Sequence, residues 1–318
     1  MYKRIVTLTL NPAVDASCVT DKVRPINKVR TREERYEPGG GGINVARVLN
    51  ELDAGSFAVY LAGGRNGDVL EELIERHGVM GHRVQTAGST RVSNVVYEES
   101  SGQEFRFTPE GPSVKRAEWQ RALQFIDLLD FDYLVASGSL PRGCPDDVYA
   151  RLTTSIKRRG GRLVLDTSGA ALAAALEAGV YLAKPSRGEF AALIGETLDD
   201  PKDLQEAAME RVQKGQAEIL AISLGHDGAV LACQDGFYHL AIPDVTARST
   251  VGAGDSFVAG IVFGLSRGMS TQDAFALAVA AGTATVLTAG TELCHQTDID
   301  YFWKILRNEL CPIPKPSA

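Results

Sequence analysis

The sequence predicts an α/β protein with a mainly parallel central sheet flanked by helices and a small β-sheet lid, in one domain spanning residues 1–318. Three observations predict the layers. Apolar strand-like runs alternate with helical patterns over about two hundred residues, the rhythm of a sheet covered on both faces. Several runs, "DYLVAS" and "RLVLD" among them, are continuously apolar, as strands buried on both sides must be. Two polar, aromatic-bearing stretches, 11–37 and 88–108, break the rhythm and are set aside as a lid.

In chain order, a charged start leads into an alternating strand at Ile5–Leu10, unlike a signal peptide. Further strands are expected at Ala58–Ala62, Tyr133–Ser137, Arg162–Asp166, Val180–Ala183 and Ile219–Ser223. Helical patterns lie between most of them, at Ile43–Leu52, Val69–His77, Ala117–Leu129, Asp146–Arg158, Ala170–Glu177 and Leu204–Gln213. Residues 11–37 hold no clear helix, and "RVSNVVYEESSGQEFRFT" reads as a hairpin turning at Ser101-Gly102; the two could pair as a small projecting sheet. A second hairpin, Ala229–Cys233 to Phe237–Ala241, looks like an antiparallel edge of the main sheet. The C-terminal third, from Gly254 to Leu310, is mostly helical. Its apolar run Ala274–Ala289 is broken by Gly282 and three threonines, which suits a buried helix and not a membrane span. The proline-rich tail, 312–318, is expected to be disordered.

Composition narrows the function. With 44% apolar and 23% charged residues the chain should build a sizeable core. A net charge of −7, with both signs interspersed, argues against a nucleic-acid surface, so an anionic ligand needs a local cluster of positive groups. Five scattered cysteines without a C-x-x-C pair read as free thiols in a reducing compartment, and a cytoplasmic location is expected. The five histidines show no metal spacing.

Several short stretches could carry chemistry. In "STVGAGDSF", Gly252, Ala253 and Gly254 can turn consecutive amides toward one point ahead of a helix beginning near Asp255. Such a nest suits a transferring phosphoryl group; taken alone, it reads as a plain aspartate cap. A helix N-terminus should keep Asp255 ionised, fit to take a proton from an attacking hydroxyl. "EPGGGGINVARVLNEL" sets Gly39, Gly40, Gly41 and Gly42 directly before an amphipathic helix, again a close-approach loop. Asn44 stands where a dinucleotide fingerprint would have its third glycine and offers an amide to hydroxyl groups. Asn11 and Asp15, beyond the first strand, could hold vicinal hydroxyls or form a turn. Lys28, Arg30, Arg91 and Arg106 all fall in the lid stretches, as ordinary solvated charges or as a binding set for a substrate phosphate.

These stretches, together with "SGSLPRG", "DTSG", "KPSRGE" and "SLGHDGA", stand in an order and spacing that resembles the ribokinase-like (PfkB) carbohydrate kinase family over residues 3–310. "TLTLNPAVD" and "GGGGIN" are most similar to its 6-phosphofructokinase (isozyme 2) branch, with 1-phosphofructokinases and tagatose-6-phosphate kinases as close alternatives. The resemblance implies transfer of the γ-phosphoryl of ATP, with Mg²⁺, to the 1-hydroxyl of fructose 6-phosphate. It implies Asp255 as general base and residues 252–255 as anion hole. Asp15, Gly39–Gly42, Asn44 and Ser139 would hold the sugar, and the four basic lid residues its phosphate. ATP would lie along Lys184, Ser186, Ser223, Leu224, Gly225, His226, Asp227 and Gly228, with Val279 and Thr283 near the adenine. Glu189 would help place Mg²⁺ in a motif whose usual asparagine is Ser186. Ser249, Val251 and Gly290 match the positions of a potassium site. A lid left bare suggests a homodimer packed lid against lid; no nucleic acid or membrane partner is expected.

Overall fold

The computed structural model describes residues 3–313. In chain order its elements are β1 (Ile5–Thr9), β2 (Ala13–Thr20), β3 (Arg32–Gly39), α1 (Gly41–Glu51), β4 (Phe57–Ala62), α2 (Gly64–Arg76), β5 (Met80–Gln85), β6 (Arg91–Glu98) and β7 (Gln103–Phe107). There follow α3 (Arg116–Leu128), β8 (Tyr133–Ser137), α4 (Val148–Arg158), β9 (Arg162–Asp166), α5 (Gly169–Ala178), β10 (Val180–Ala183), α6 (Arg187–Ile194), α7 (Pro201–Gln213) and β11 (Ala217–Ser223). The chain closes with β12 (Ala229–Cys233), β13 (Gly236–Leu240), α8 (Ala253–Ser266), α9 (Thr271–Thr285), α10 (Gln296–Leu306) and β14 (Cys311–Ile313).

The main sheet has the order β14-β13-β12-β11-β10-β9-β8-β1-β4-β5. From β5 to β11 every pairing is parallel, and β11 to β14 pair antiparallel. Its strands are buried because helices cover both faces. One core layer joins α1, α8, α9 and α10 to the sheet, and the other joins α3, α4, α5 and α7 to the opposite face. β1 lies between β4, which follows it after the first lid segment, and β8, which follows after the second. The strand order therefore reverses at β1 and β8, and the crevice beyond their carboxyl ends is where open α/β sheets bind ligands.

Both irregular stretches form the lid, a separate four-stranded sheet ordered β3-β2-β6-β7. β2 and β6 run parallel with Asp15 opposite Ser93, and β3 and β7 flank them antiparallel. The hairpin turns at 99–102, where the Ser101-Gly102 pair lies. β3 ends at Gly39 and α1 starts at Gly41, so the glycine run joins lid to core.

Three elements differ from expectation. β5 went unread because only Val84 of "MGHRVQ" is buried at this sheet edge. α6 is a short helix with one buried residue, too little for a periodic signal. The β12–β13 hairpin is not the sheet edge, because β14 pairs with β13 and places Pro312 opposite Tyr238. Proline lacks an N–H, and an edge strand tolerates that. The tail is thus ordered two residues further than expected, and 314–318 lie outside the described residues.

Candidate active site

The site is assembled from the carboxyl ends of four parallel strands and the amino ends of two helices. Beyond β1, Asn11 Nδ2 donates to Glu110 O (2.9 Å) and Ser139 Oγ (3.1 Å), which joins the first crossing into the lid to the loop after β8. Ser137 closes β8 and Asp166 closes β9. Lys184 follows β10, and its buried ammonium lies 3.2 Å from Asp166 Oδ1. Asp255 is the third residue of α8. Asn44 Nδ2, from the first turn of α1, donates to Asp255 Oδ2 at 2.9 Å, and the Ser137 hydroxyl stands between Asp255 Oδ1 (3.3 Å) and Asp166 Oδ2 (3.4 Å).

Two glycines make this arrangement possible. Gly252 caps α8 with φ +76°, and a Cβ there would fall 2.4 Å from Leu293 Cδ2. Gly41 brings backbone against the carboxylate, since a Cβ would stand 2.1 Å from Ser137 Oγ and 2.9 Å from Asp255 Oδ1. The first helical bond of α8 is Ser256 N to Gly252 O, 2.8 Å, which leaves the amides of Ala253, Gly254 and Asp255 free of helical partners. Lys184 Nζ is 3.4 Å from where a Gly254 Cβ would be, so an ammonium and a helix N-terminus converge on one space.

The carboxylates are tuned by burial. Asp255 is held above the usual range by desolvation, opposed by the Asn44 hydrogen bond, Lys184, Ser137 and Arg47. The expectation that the helix end alone keeps it ionised is therefore corrected: enclosure raises its proton affinity, which suits a group that must accept a proton. Burial also raises Asp166 and Asp15 to about 6 each, opposed by Lys184 in one case and by Arg47 and Arg91 in the other. Burial works against the charge of Lys184, but Asp166, Asp255 and Glu189 together raise its pKa above normal.

The expected sugar side is largely brought together. Asp15 lies against Gly39, whose Cβ would meet its carboxylate at 2.1 Å. Arg91 donates to Pro109 O (2.7 Å) and Asn11 O (2.8 Å), beside Asp15. Arg106 reaches Thr250 Oγ1 at 2.8 Å while paired with Glu104 at 2.7 Å. Lys28 and Arg30 stand apart from these two arginines. Both are exposed in the β2–β3 loop, where Arg30 O accepts from Thr20 Oγ1 (3.0 Å). That end of β2 is about 17 Å along the strand from Asp15, so one chain does not gather all four basic residues. Asn44 gives one amide N–H to Asp255 and keeps its second N–H for another acceptor.

On the other flank, Ser223 N donates to Pro185 O (3.1 Å), and Leu224 N to Gly228 O (2.8 Å) around the turn Gly225-His226-Asp227. Lys184, Ser186 and 223–228 thus form one rim. Val279 and Thr283 are buried in α9, with the Thr283 hydroxyl spent on Val279 O at 2.8 Å. Ser186 and Glu189 form a reciprocal capping box: Ser186 N and Oγ donate to Glu189 Oε2 at 2.8 and 2.9 Å, and Glu189 N returns a bond to Ser186 Oγ at 3.3 Å. The serine in the asparagine position therefore caps α6 and holds Glu189 in place.

Asp166 and Glu189 both act on Lys184, and no cage of three acidic, histidine or cysteine side chains occurs among the described residues. That donor set fits Mg²⁺, which keeps water and substrate phosphates as most of its ligands. At the expected potassium positions, Ser249 Oγ lies 2.8 Å from Gly290 O and accepts from Val251 N at 3.2 Å, a cluster of oxygen donors suited to a hard cation. Sequence reading left Ser137, Asp166 and Arg47 out of the site. The first two carried a usable signal, since each ends a buried parallel strand. Arg47 carried none.

A carboxylate facing an ammonium and free helix amides, at the switch point of a lidded α/β sheet, defines a phosphotransferase site of the ribokinase-like type. Comparison with known proteins agrees. The pfkB family carbohydrate kinase model matches residues 8–298. ATP-dependent 6-phosphofructokinase isozyme 2 of Mycobacterium tuberculosis is 41% identical over 305 residues, 95% of this chain and 89% of that protein. A 1-phosphofructokinase of Bacillus subtilis is 31% identical, over 91% of this chain and 95% of its own. The crystal structure of phosphofructokinase-2 from Escherichia coli in complex with fructose-6-phosphate superposes with a TM-score of 0.90 at 34% identity, covering 96% of this chain and 99% of that one. The same enzyme in complex with potassium gives 0.92 at 35%, covering 95% and 99%. The chain belongs to the PfkB family of carbohydrate kinases.

Proposed function

We propose that the chain transfers the γ-phosphoryl of ATP to the 1-hydroxyl of fructose 6-phosphate, giving fructose 1,6-bisphosphate and ADP. The observation that carries the reading is the convergence of Asp255, Lys184 and the free N-terminal amides of α8 on one space beside Asp15. Phosphoryl transfer asks mainly for in-line positioning and for positive charge around the moving group. Asp15 and Ser139 hold sugar hydroxyls, and Gly39–Gly42 shape the wall. The acceptor oxygen forms its bond to the γ-phosphorus as the bond to the β,γ-bridging oxygen breaks, and its proton passes to Asp255. The amides of 252–255 and Lys184 stabilise the charge on the phosphoryl oxygens. Asp166 and Glu189 would help hold Mg²⁺ with ATP, which would add neutralisation of the phosphates, and Ser249, Val251 and Gly290 would hold a potassium ion.

A substrate phosphate is met by Arg91 and Arg106. Lys28 and Arg30 lie at the far end of the lid, so they serve best from a second copy packed lid against lid. Ile26, Tyr36 and Phe107 are exposed apolar side chains of the same lid, which supports that homodimer. No helix of the described residues is long and apolar enough to cross a membrane, in keeping with work in the cytoplasm.

The 41% identity to a 6-phosphofructokinase against 31% to a 1-phosphofructokinase supports fructose 6-phosphate as the acceptor. Steady-state rates with fructose 6-phosphate, fructose 1-phosphate, tagatose 6-phosphate and fructose decide it. Fructose 6-phosphate is expected to give the highest kcat/KM; a higher value for any of the others would overturn the assignment.

A further inference from the structure

Asp255 is not held by its own helix alone. Polar contacts tie it to the root of the lid. Asn44 Nδ2 donates to Asp255 Oδ2 at 2.9 Å, and Asn44 Oδ1 accepts from Arg47 Nη1 at 3.3 Å. Arg47 Nη2 donates to Glu37 Oε2 at 2.5 Å, and that oxygen also lies 2.7 Å from His77 Nε2. Arg47 Nη1 is shared with Pro38 O at 3.2 Å. Glu37 and Pro38 belong to β3, whereas Asn44 and Arg47 lie one turn apart on α1. The Arg47 side chain is 7% exposed.

An amide side chain is nearly symmetric in shape, but its two ends have opposite hydrogen-bonding sense. Between a guanidinium and a carboxylate only one orientation satisfies both neighbours. The flipped amide would set its NH₂ against Arg47 and its oxygen against Asp255 Oδ2. Arg47 thereby holds the Asn44 oxygen and reinforces the orientation in which its NH₂ faces the base. Oδ2 is then occupied, while Oδ1 faces Ser137 Oγ and the open side of Gly41.

We infer that Arg47 is a positioning residue for phosphoryl transfer: it locks the Asn44 amide so that Asp255 Oδ2 is committed to a hydrogen bond and Oδ1 takes the acceptor's proton. Through Glu37 it links that choice to the seating of the lid on α1. The inference rests on the reading of Asp255 as the base.

Charge supports the geometry. The groups acting on Asp255 are Asn44 and Arg47 of α1, Ser137 of β8, Lys184 after β10, Asp166 of β9 and Asp15 of β2. Among these Arg47 and Lys184 are the cations, and Arg47 also favours the ionised form of Asp15. Loss of Arg47 leaves both carboxylates harder to ionise, which moves the acid limb of activity to higher pH.

The test compares R47K, R47M, the double variant E37Q/R47M and D255N, with fructose 6-phosphate and ATP-Mg²⁺ across pH and with folding followed by thermal melting. The double variant removes the half-buried Glu37 charge along with its partner, so it serves where R47M alone does not fold. R47M or the double variant should lose about 10- to 100-fold in kcat, the scale of a misplaced reacting group, with a smaller rise in KM and an acid limb shifted upward. R47K should restore the acid limb but not kcat, because an ammonium keeps the charge without the fork that spans Asn44 and Glu37. A kcat within about twofold of the parent, a loss with no shift of the acid limb, or failure of R47K itself to fold would each overturn the positioning role. If D255N turns over normally, the base reading falls with it; if D255N collapses while the Arg47 variants do not, only the role of Arg47 falls.

Discussion

Asp15 shows how a residue proposed to bind the sugar can weaken the fold that carries it. Its pKa rises from 3.8 to about 6, chiefly through burial. Between about pH 4 and 6 the unfolded chain has released a proton that the folded chain still holds. Stability therefore falls as pH rises through that window, and at neutral pH the empty protein bears the whole penalty of a buried carboxylate. Asp15→Asn should raise the apparent melting temperature at pH 7.5 by roughly 2 °C or more, with the gain shrinking toward pH 4. The same variant should raise KM for fructose 6-phosphate at least ~10-fold, because a carboxylate that accepts sugar hydroxyls is lost. Calorimetry at the two pH values together with steady-state kinetics checks both. An unchanged or lowered melting temperature at pH 7.5 would contradict the burial argument. At this scale the sequence exposed residues that sit inside a local pattern, such as Asp255 after its glycines or Asn44 after its own. It hid Arg47, whose neighbour Asn44 gains its meaning only from Asp255, 211 positions further along the chain.

Among the elements, the turn before α8 does most to shape the site. Gly252 needs both its positive φ and the missing Cβ, since a methyl there would press on Leu293. Gly252→Ala should cost about 1–2 kcal/mol of stability and lower kcat at least ~10-fold as the first-turn amides shift. Urea denaturation beside turnover measurement tests this, and a variant with parental kcat would remove the turn from catalysis. Elements were legible where burial was complete. The expected strands Tyr133–Ser137, Arg162–Asp166 and Val180–Ala183 coincide with β8, β9 and β10, all interior strands. β5 and β14 were missed for the opposite reason: edge strands need few apolar residues, and the pairing that defines them lies elsewhere in the chain. The onset of α8 was placed two residues late, because the sequence marks its cap by glycine and the helix begins at once behind it.

For the whole molecule, the lid is where the proposed second copy would pack. Ile26 is fully exposed, Tyr36 and Phe107 are each more than half exposed, and Lys28 and Arg30 are exposed in the β2–β3 loop. Light scattering should find a dimer, and Ile26→Asp should yield a monomer with a raised KM for fructose 6-phosphate. A parent protein that is monomeric and fully active would remove the second copy from the site. The overall architecture and the lid were readable because both follow from hydrophobic rhythm and its interruption. The way the lid's basic residues divide between near and far ends was not, since it depends on strand register. In the proposed reaction one carboxylate takes the acceptor's proton while helix amides and Lys184 receive the phosphoryl group. The most direct test is single-turnover transfer from ATP to fructose 6-phosphate by Asp255→Asn, with the affinity for the sugar phosphate measured separately. The transfer rate should fall at least ~10²-fold while the dissociation constant stays within about threefold; near-normal transfer by that variant would contradict the mechanism.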